Sequence, residues 1–325
     1  MAKNKSNNYT LSWIEKIEYG LLYSFVYLLS LLPLRALYLI NDILIYPLIY
    51  RVVRYRVKLV RRHLQDCFPE KSQEERKRIE HKFYHYFGDL IMETIKGMSI
   101  SEEEMMRRMD YHGAEPMIRT ASTPQSIVVY LGHYCNWEWV TSVGKLIPDT
   151  SFVCQVYHVL ENRVMDKLML KIRSRMGTHN IPIADILRQT IEKNRKGQNM
   201  LCGYISDQVP FWNNIHYWTD FLHHDTPALT GAETIAKKFD QAVFYLDIQR
   251  VKRGYYRIDV IQMAEHSKGI PDFELTEQYF QLLERSIQRQ PELWLWTHNR
   301  WKRTREEWEK RYKGKAYVEK KEKDE

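Results

Sequence analysis

From Tyr19 to Tyr50 the chain is apolar apart from Ser24, Ser30, Arg35, Asn41 and Asp42, and Pro33 splits the run. A membrane-spanning helix needs about 20 mainly apolar residues, and neither half, 21–34 or 36–50, reaches that length cleanly. The pattern predicts an N-terminal apolar helical membrane anchor, either one tilted span or a hairpin dipping into one leaflet. The alternative is a pair of buried core helices. Tyrosines at both edges favour the anchor, because their rings suit a membrane interface. No small-residue cleavage site follows a short apolar run, so a cleaved signal peptide is not expected.

Farther on, Phe83, Tyr86, Phe87, Leu90, Ile91 and Ile95 recur at spacings of three and four, which predicts an amphipathic helix capped by Ser72. Ser101 opens another helix by the same logic. From about residue 112 the period changes. Short β-branched runs at 126–131, 151–157, 200–205, 243–248 and 255–261 alternate with helical stretches at 164–176, 183–196, 228–238 and 274–289. Such alternation predicts an α/β fold with a mostly parallel central sheet flanked by helices. Three segments follow: a polar tail and anchor at 1–50, one α/β domain at 51–312, and a charged tail at 313–325.

Composition narrows the class. With 325 residues, 44% hydrophobic and 28% charged, the chain is long and apolar enough to bury a large core. Its net charge of +8 points to an anionic partner. Six cations and no anion lie between Arg51 and Arg62, directly after the apolar run. That placement marks the cytoplasmic side of a membrane, and each cation near an anionic leaflet contributes about 1 kcal/mol. The chain carries no nucleic-acid-binding motif, so nucleic acid is not expected as a partner. Cys67, Cys135, Cys154 and Cys202 are too scattered for a zinc or thioredoxin motif and read as reduced thiols.

The chemistry concentrates at Gly132-His133-Tyr134-Cys135-Asn136-Trp137-Glu138-Trp139, directly after a strand. In an open α/β sheet ligands bind beyond the carboxyl ends of the strands, so a histidine there faces a crevice. A lone histidine at a strand end is more often structural; Glu138, Gly132 and the two tryptophans shift the balance. If Asn136 caps a helix beginning at Trp137, the turn returns the Glu138 carboxylate to the imidazole as an orienting partner. Arg173 and Arg175 are as readily a solvated helix face as a functional pair, and Asp207 as readily a turn residue. For Phe211, Trp212, Trp218 and Phe221, core packing competes with lining a substrate channel. Arg300, Lys302, Arg303 and Arg305 suit phosphates or an acidic protein, although Glu306, Glu307 and Glu309 make a merely solvated helix the simpler reading.

The His-x4-Glu pattern after a strand resembles the glycerolipid and lipid A acyltransferase superfamily. The octapeptide itself resembles the late lipid A biosynthesis acyltransferases of Gram-negative bacteria. Leu31-Leu-Pro-Leu, Ser206-Asp207-Gln208 and the stretch from Pro291 through Trp294, Trp296, Arg300 and Trp301 to Lys302 are similar to other elements of that family, in the same order. The resemblance implies an acyltransferase at the inner membrane with its domain facing the cytoplasm. It implies His133 as general base, Glu138 as its partner, Arg175 (with Arg173 as runner-up) as the family's arginine, and Asp207 as its further acidic residue. The donor it implies is an acyl carrier protein thioester, with acyl-CoA as the alternative, and the acceptor is a lipid A precursor or another lipid such as an amino-acid-headed one. No metal or organic cofactor is implied. The segment 209–227 departs from the family's Gly-rich and Phe-Phe-Gly pattern. Two readings of other classes compete: a cysteine hydrolase using Cys135, and a non-enzymatic membrane-binding protein.

Overall fold

The computed structural model describes residues 9–312; residues 1–8 of the N-terminal polar tail and the charged tail at 313–325 lie outside them. The first apolar run forms α1 (Trp13–Ser30), opened by a capping box in which Ser12 accepts the Glu15 N–H and Glu15 accepts the Ser12 N–H. Pro33 supplies the fixed backbone that starts α2 (Leu34–Ile40). The helix then continues as two π-helical segments, Asn41–Ile45 and Leu48–Val52. Among the described residues no single helix is long and apolar enough to cross a membrane. Trp13–Ser30 and Leu34–Val52 reach that length only together, and they are bent by 113°.

One face of this pair is exposed and apolar, through Trp13, Leu21, Phe25, Leu28, Leu39, Ile43 and Val52. Its other face joins the protein core. Leu34, Leu37 and Tyr38 pack in the main hydrophobic cluster, and Val26 packs against Met98, Leu168 and Ile172.

After α3 (Val57–Cys67) comes α4 (Gln73–Lys96), opened by the expected Ser72 cap with Glu75 as its reciprocal partner. The apolar pair rests on α4 at a close approach. Asn41 donates to the His85 carbonyl at 3.0 Å and to Asp89 Oδ1 at 2.7 Å. A Cβ at Gly88 would overlap the Asn41 side chain. Gly88→Ala should therefore push the apolar pair off the domain and cost roughly 1–3 kcal/mol, read as a lower midpoint in denaturant unfolding of the protein.

The α/β domain follows as α5 (Glu102–Arg108), β1 (Met109–His112), α6 (Glu115–Ala121), β2 (Ile127–Leu131), β3 (Phe152–Tyr157), α7 (Arg163–Arg173), β4 (His179–Pro182), α8 (Ile186–Arg195) and β5 (Met200–Ile205). A small hairpin, β6 (Trp218–Phe221) and β7 (His224–Pro227), precedes α9 (Gly231–Phe239), β8 (Ala242–Lys252), β9 (Tyr255–Ala264), α10 (Glu274–Arg289) and α11 (Arg305–Tyr312). Seven strands form one sheet in the order β1-β9-β8-β2-β5-β3-β4. Every pairing is parallel except β8 with β9, whose short connection permits only a hairpin. Each residue of β2 is buried, as a central parallel strand with both faces covered requires. The expected α/β fold with a mostly parallel, helix-flanked sheet is what the chain adopts.

Candidate active site

Strand register brings the first two site residues together. β2 and β5 run parallel with Leu131 opposite Ile205, so His133 and Asp207 each stand two residues past the same line of the sheet. His133 Nδ1 lies 2.6 Å from Asp207 Oδ1, and the His133 backbone N–H donates to Asp207 Oδ2 at 2.9 Å. Trp294 Nε1 donates to Oδ2 at 2.8 Å. Burial alone pushes the Asp207 carboxyl upward. The His133 imidazole and the N–H donors of residues 133 and 294 outweigh it and hold the group at about 2. An ionised acceptor at Nδ1 puts the imidazole proton on Nδ1 and leaves Nε2 as the basic nitrogen. Nε2 meets the Gln208 side-chain amide at 3.2 Å.

The residues expected to orient the base are arranged differently from the sequence reading. Glu138 turns to Arg173, which donates from Nε to Oε2 at 2.8 Å and from Nη2 to Oε1 at 2.6 Å. Burial pushes the Glu138 carboxyl up, but the guanidinium and the Trp137 indole N–H outweigh it and hold the group below its ordinary value. Glu138 therefore reaches His133 through Trp137, whose ring meets the imidazole edge-on at 5.2 Å between centroids. Arg175, the first choice for the family's arginine, donates to the backbone carbonyls of Met98 and Ile100 instead. Arg173 ends α7, and the following turn rotates Arg175 away. No helix begins at Trp137: Glu138 stands at the N-cap of a 3-10 segment over Trp139–Leu146, and Asn136 Oδ1 accepts the Trp139 N–H at 3.0 Å without being that segment's cap.

The C-terminal stretch completes the site. Leu295 N–H donates to the His133 carbonyl at 3.1 Å and Cys135 N–H to the Leu293 carbonyl at 3.0 Å, which places the Trp294 indole on Asp207. His298 accepts the Val209 N–H at 3.4 Å; burial pushes its pKa down to about 4, so it is neutral at neutral pH. Arg300, expected on a solvated helix, is instead fully buried and donates to the Pro227 carbonyl at 2.7 Å. Arg305 forms a two-pronged pair with Asp225 at 2.6 Å. Phe221 is core, packed on Phe280 and Trp294, whereas Phe211 is exposed. Trp294, His298 and the contact of Gln208 with the imidazole had no role in the sequence reading. The proximity of the Pro291–Lys302 stretch to the His133 turn was the missing signal.

Cys135 does not suit a hydrolase. Its backbone is left-handed (φ 50°), its thiol is fully buried against the Ile248 carbonyl, and burial pushes its pKa well up. A thiolate nucleophile needs the opposite surroundings. Cys135→Ala should leave acyl transfer within about threefold of the parent and lower stability by about 1 kcal/mol. Transfer assays and thermal unfolding check both. Among the described residues, Asp42, His85 and Asp89 bring ligand atoms within 4.8 Å of one another. Arg253 already pairs with Asp42 at 2.6 Å and Arg250 with Asp89 at 2.7 Å, so the cluster is an ion-pair network joining the apolar segment to α4 and β8.

A histidine held by a carboxylate stands at the carboxyl edge of a parallel sheet, and the comparisons name the class of the protein as acyltransferase. Residues 6–303 match the family of bacterial lipid A biosynthesis acyltransferases, and the chain belongs to that family. The lipid A biosynthesis lauroyltransferase of Escherichia coli (strain K12) is 24% identical over 289 residues, covering 85% of this chain and 92% of its own. The palmitoleoyltransferase of lipid A biosynthesis from the same organism is 20% identical over 253 residues, 77% of this chain and 80% of its own. A lipid A biosynthesis acyltransferase of Shigella flexneri gives the same figures of 20% over 253 residues.

Proposed function

We propose that the protein transfers a fatty acyl chain from a thioester to a hydroxyl of a lipid A precursor, with His133 as general base and Asp207 as its orienting partner. The observation that carries this is the His133–Asp207 pair, which leaves Nε2 as the basic nitrogen. A hydroxyl is a poor nucleophile at neutral pH. In this reading Nε2 takes its proton as the oxygen attacks the thioester carbonyl. Asp207 stabilises the imidazolium formed, and collapse of the tetrahedral intermediate expels the thiol, which recovers that proton. No acyl-enzyme forms. The Glu138–Arg173 pair braces Trp137 against the base. The family's other members support the acceptor, since those relatives bear lipid A in their names. The net charge of +8 favours an acidic acyl carrier protein as donor.

The exposed apolar face of 13–52 suits immersion in one leaflet as a bent hairpin, with Arg51, Arg54 and Arg56 at the headgroups of an anionic inner-membrane surface and the domain in the cytoplasm. The test offers the full chain, in vesicles containing an anionic phospholipid, a labelled acyl chain on carrier protein or on coenzyme A. A lipid A precursor or an amino-acid-headed lipid serves as acceptor. A mass gain of one acyl chain on the lipid A precursor, fastest from the carrier protein, is expected. Gain only on the amino-acid-headed lipid would reassign the acceptor, and no gain on any hydroxylated lipid would overturn the reading.

A further inference from the structure

Glu93 lies on α4 in the interior of the protein, and its side chain is fully buried. Its direct partners are neutral donors. The Tyr38 hydroxyl donates to Oε1 at 2.7 Å; the Tyr256 hydroxyl and the Asn136 side-chain amide each donate to Oε2 at 2.6 Å. The backbone carbonyl of the same residue accepts the Trp139 indole N–H at 2.9 Å. One residue thus gathers the apolar helical pair, β9 and the turn that carries His133. Burying a carboxylate without a counter-ion on it is expensive, and an apolar side chain of similar size would fill the space. What such a side chain cannot do is hold Asn136, whose Oδ1 accepts the Trp139 N–H.

We infer that Glu93 is a positioning residue for the transfer reaction: it fixes Asn136, and through Asn136 the turn from His133 to Trp139 that presents the base and its Trp137 neighbour. The inference rests on the reading of His133 as that base. A small shift of a base relative to its substrate costs up to about a hundredfold in rate, so the effect belongs in kcat.

The pair can be exchanged chemically. Asn136→Asp alone removes the amide donor and sets a second carboxyl against Glu93 at hydrogen-bond distance, so the two repel or bind a shared proton. Adding Glu93→Gln restores one amide donor and one carboxylate acceptor with the roles swapped, the Tyr256 hydroxyl turning from donor to acceptor toward the new amide, while the carboxylate introduced at position 136 still accepts the Trp139 N–H. The expected result, in the full chain and per folded molecule, is a fall in kcat of roughly tenfold to a hundredfold for Asn136→Asp. KM should stay within about threefold, and the exchanged double variant should recover to within about threefold of the parent. A folded Asn136→Asp with parental kcat, or a double variant that fails to fold or stays as slow as the single one, would overturn the role. Should Asn136→Asp itself not fold, the double variant's kcat decides alone. His133→Ala is run in the same assay. Retained transfer there defeats the base assignment, whatever the exchange shows.

Discussion

His133→Ala should lower kcat by about 10²–10⁴-fold while the protein remains folded. The side chain directs its basic nitrogen away from the buried network, and its loss leaves Asp207 with two donors, the Trp294 indole and the backbone N–H of residue 133. Truncation therefore opens space at the site and leaves the buried Asp207 carboxylate on those two neutral donors alone, so a partial loss of stability should accompany the loss of rate. Single-turnover transfer of a labelled acyl chain measures the effect without interference from product release. A variant that keeps more than about a tenth of the parental rate would assign the proton transfer to another group.

Asp207→Asn should be nearly as damaging, by roughly 10²–10³-fold in kcat, and more so than Glu138→Gln. An amide at this position no longer dictates an Nδ1 proton and cannot stabilise the imidazolium. The two carboxylates thus separate by experiment. The sequence alone favoured Glu138 as the partner of the base, and the geometry favours Asp207. The variant also carries a pH signature. Because the Asp207 carboxyl is held at about 2, below its ordinary 3.8, its contribution to stability is present at all pH values above the ordinary value. It is lost as pH falls through about 2. The stability gap between parent and Asp207→Asn, about 2 kcal/mol at neutral pH, should close between pH 4 and 2 in acid-unfolding curves. A gap unchanged over that range would mean the carboxylate is not held by the imidazole.

The parts of the molecule governed by local rules were legible in the sequence. The Ser72 cap, the alternation of strands and helices, and the histidine at a strand end all depend on neighbours within a few residues. The identity of the imidazole's partner does not. His133 and Asp207 meet because β2 pairs with β5 at one register, and strand order cannot be read from spacing. The choice between Arg173 and Arg175 turned on which of the two faces Glu138 where α7 ends, and spacing in the sequence does not show that. Trp294 is farther still from the octapeptide and reaches Asp207 only through an isolated antiparallel bridge between Tyr134 and Trp294. The exposed apolar face of 13–52 was visible as composition, but its bend of 113° was not.

That bridge has a consequence for how the enzyme matures. The hydrophobic pair that ends at Val52 leaves the ribosome about 240 residues before Trp294 does. At cellular elongation rates the interval is roughly 10–50 s. Throughout it, Asp207 lacks the indole that secures it and the His133 turn lacks its bridge to Trp294. The apolar helices of 13–52 are therefore complete long before the chain is able to acylate anything, which delays catalysis until Trp294 has emerged.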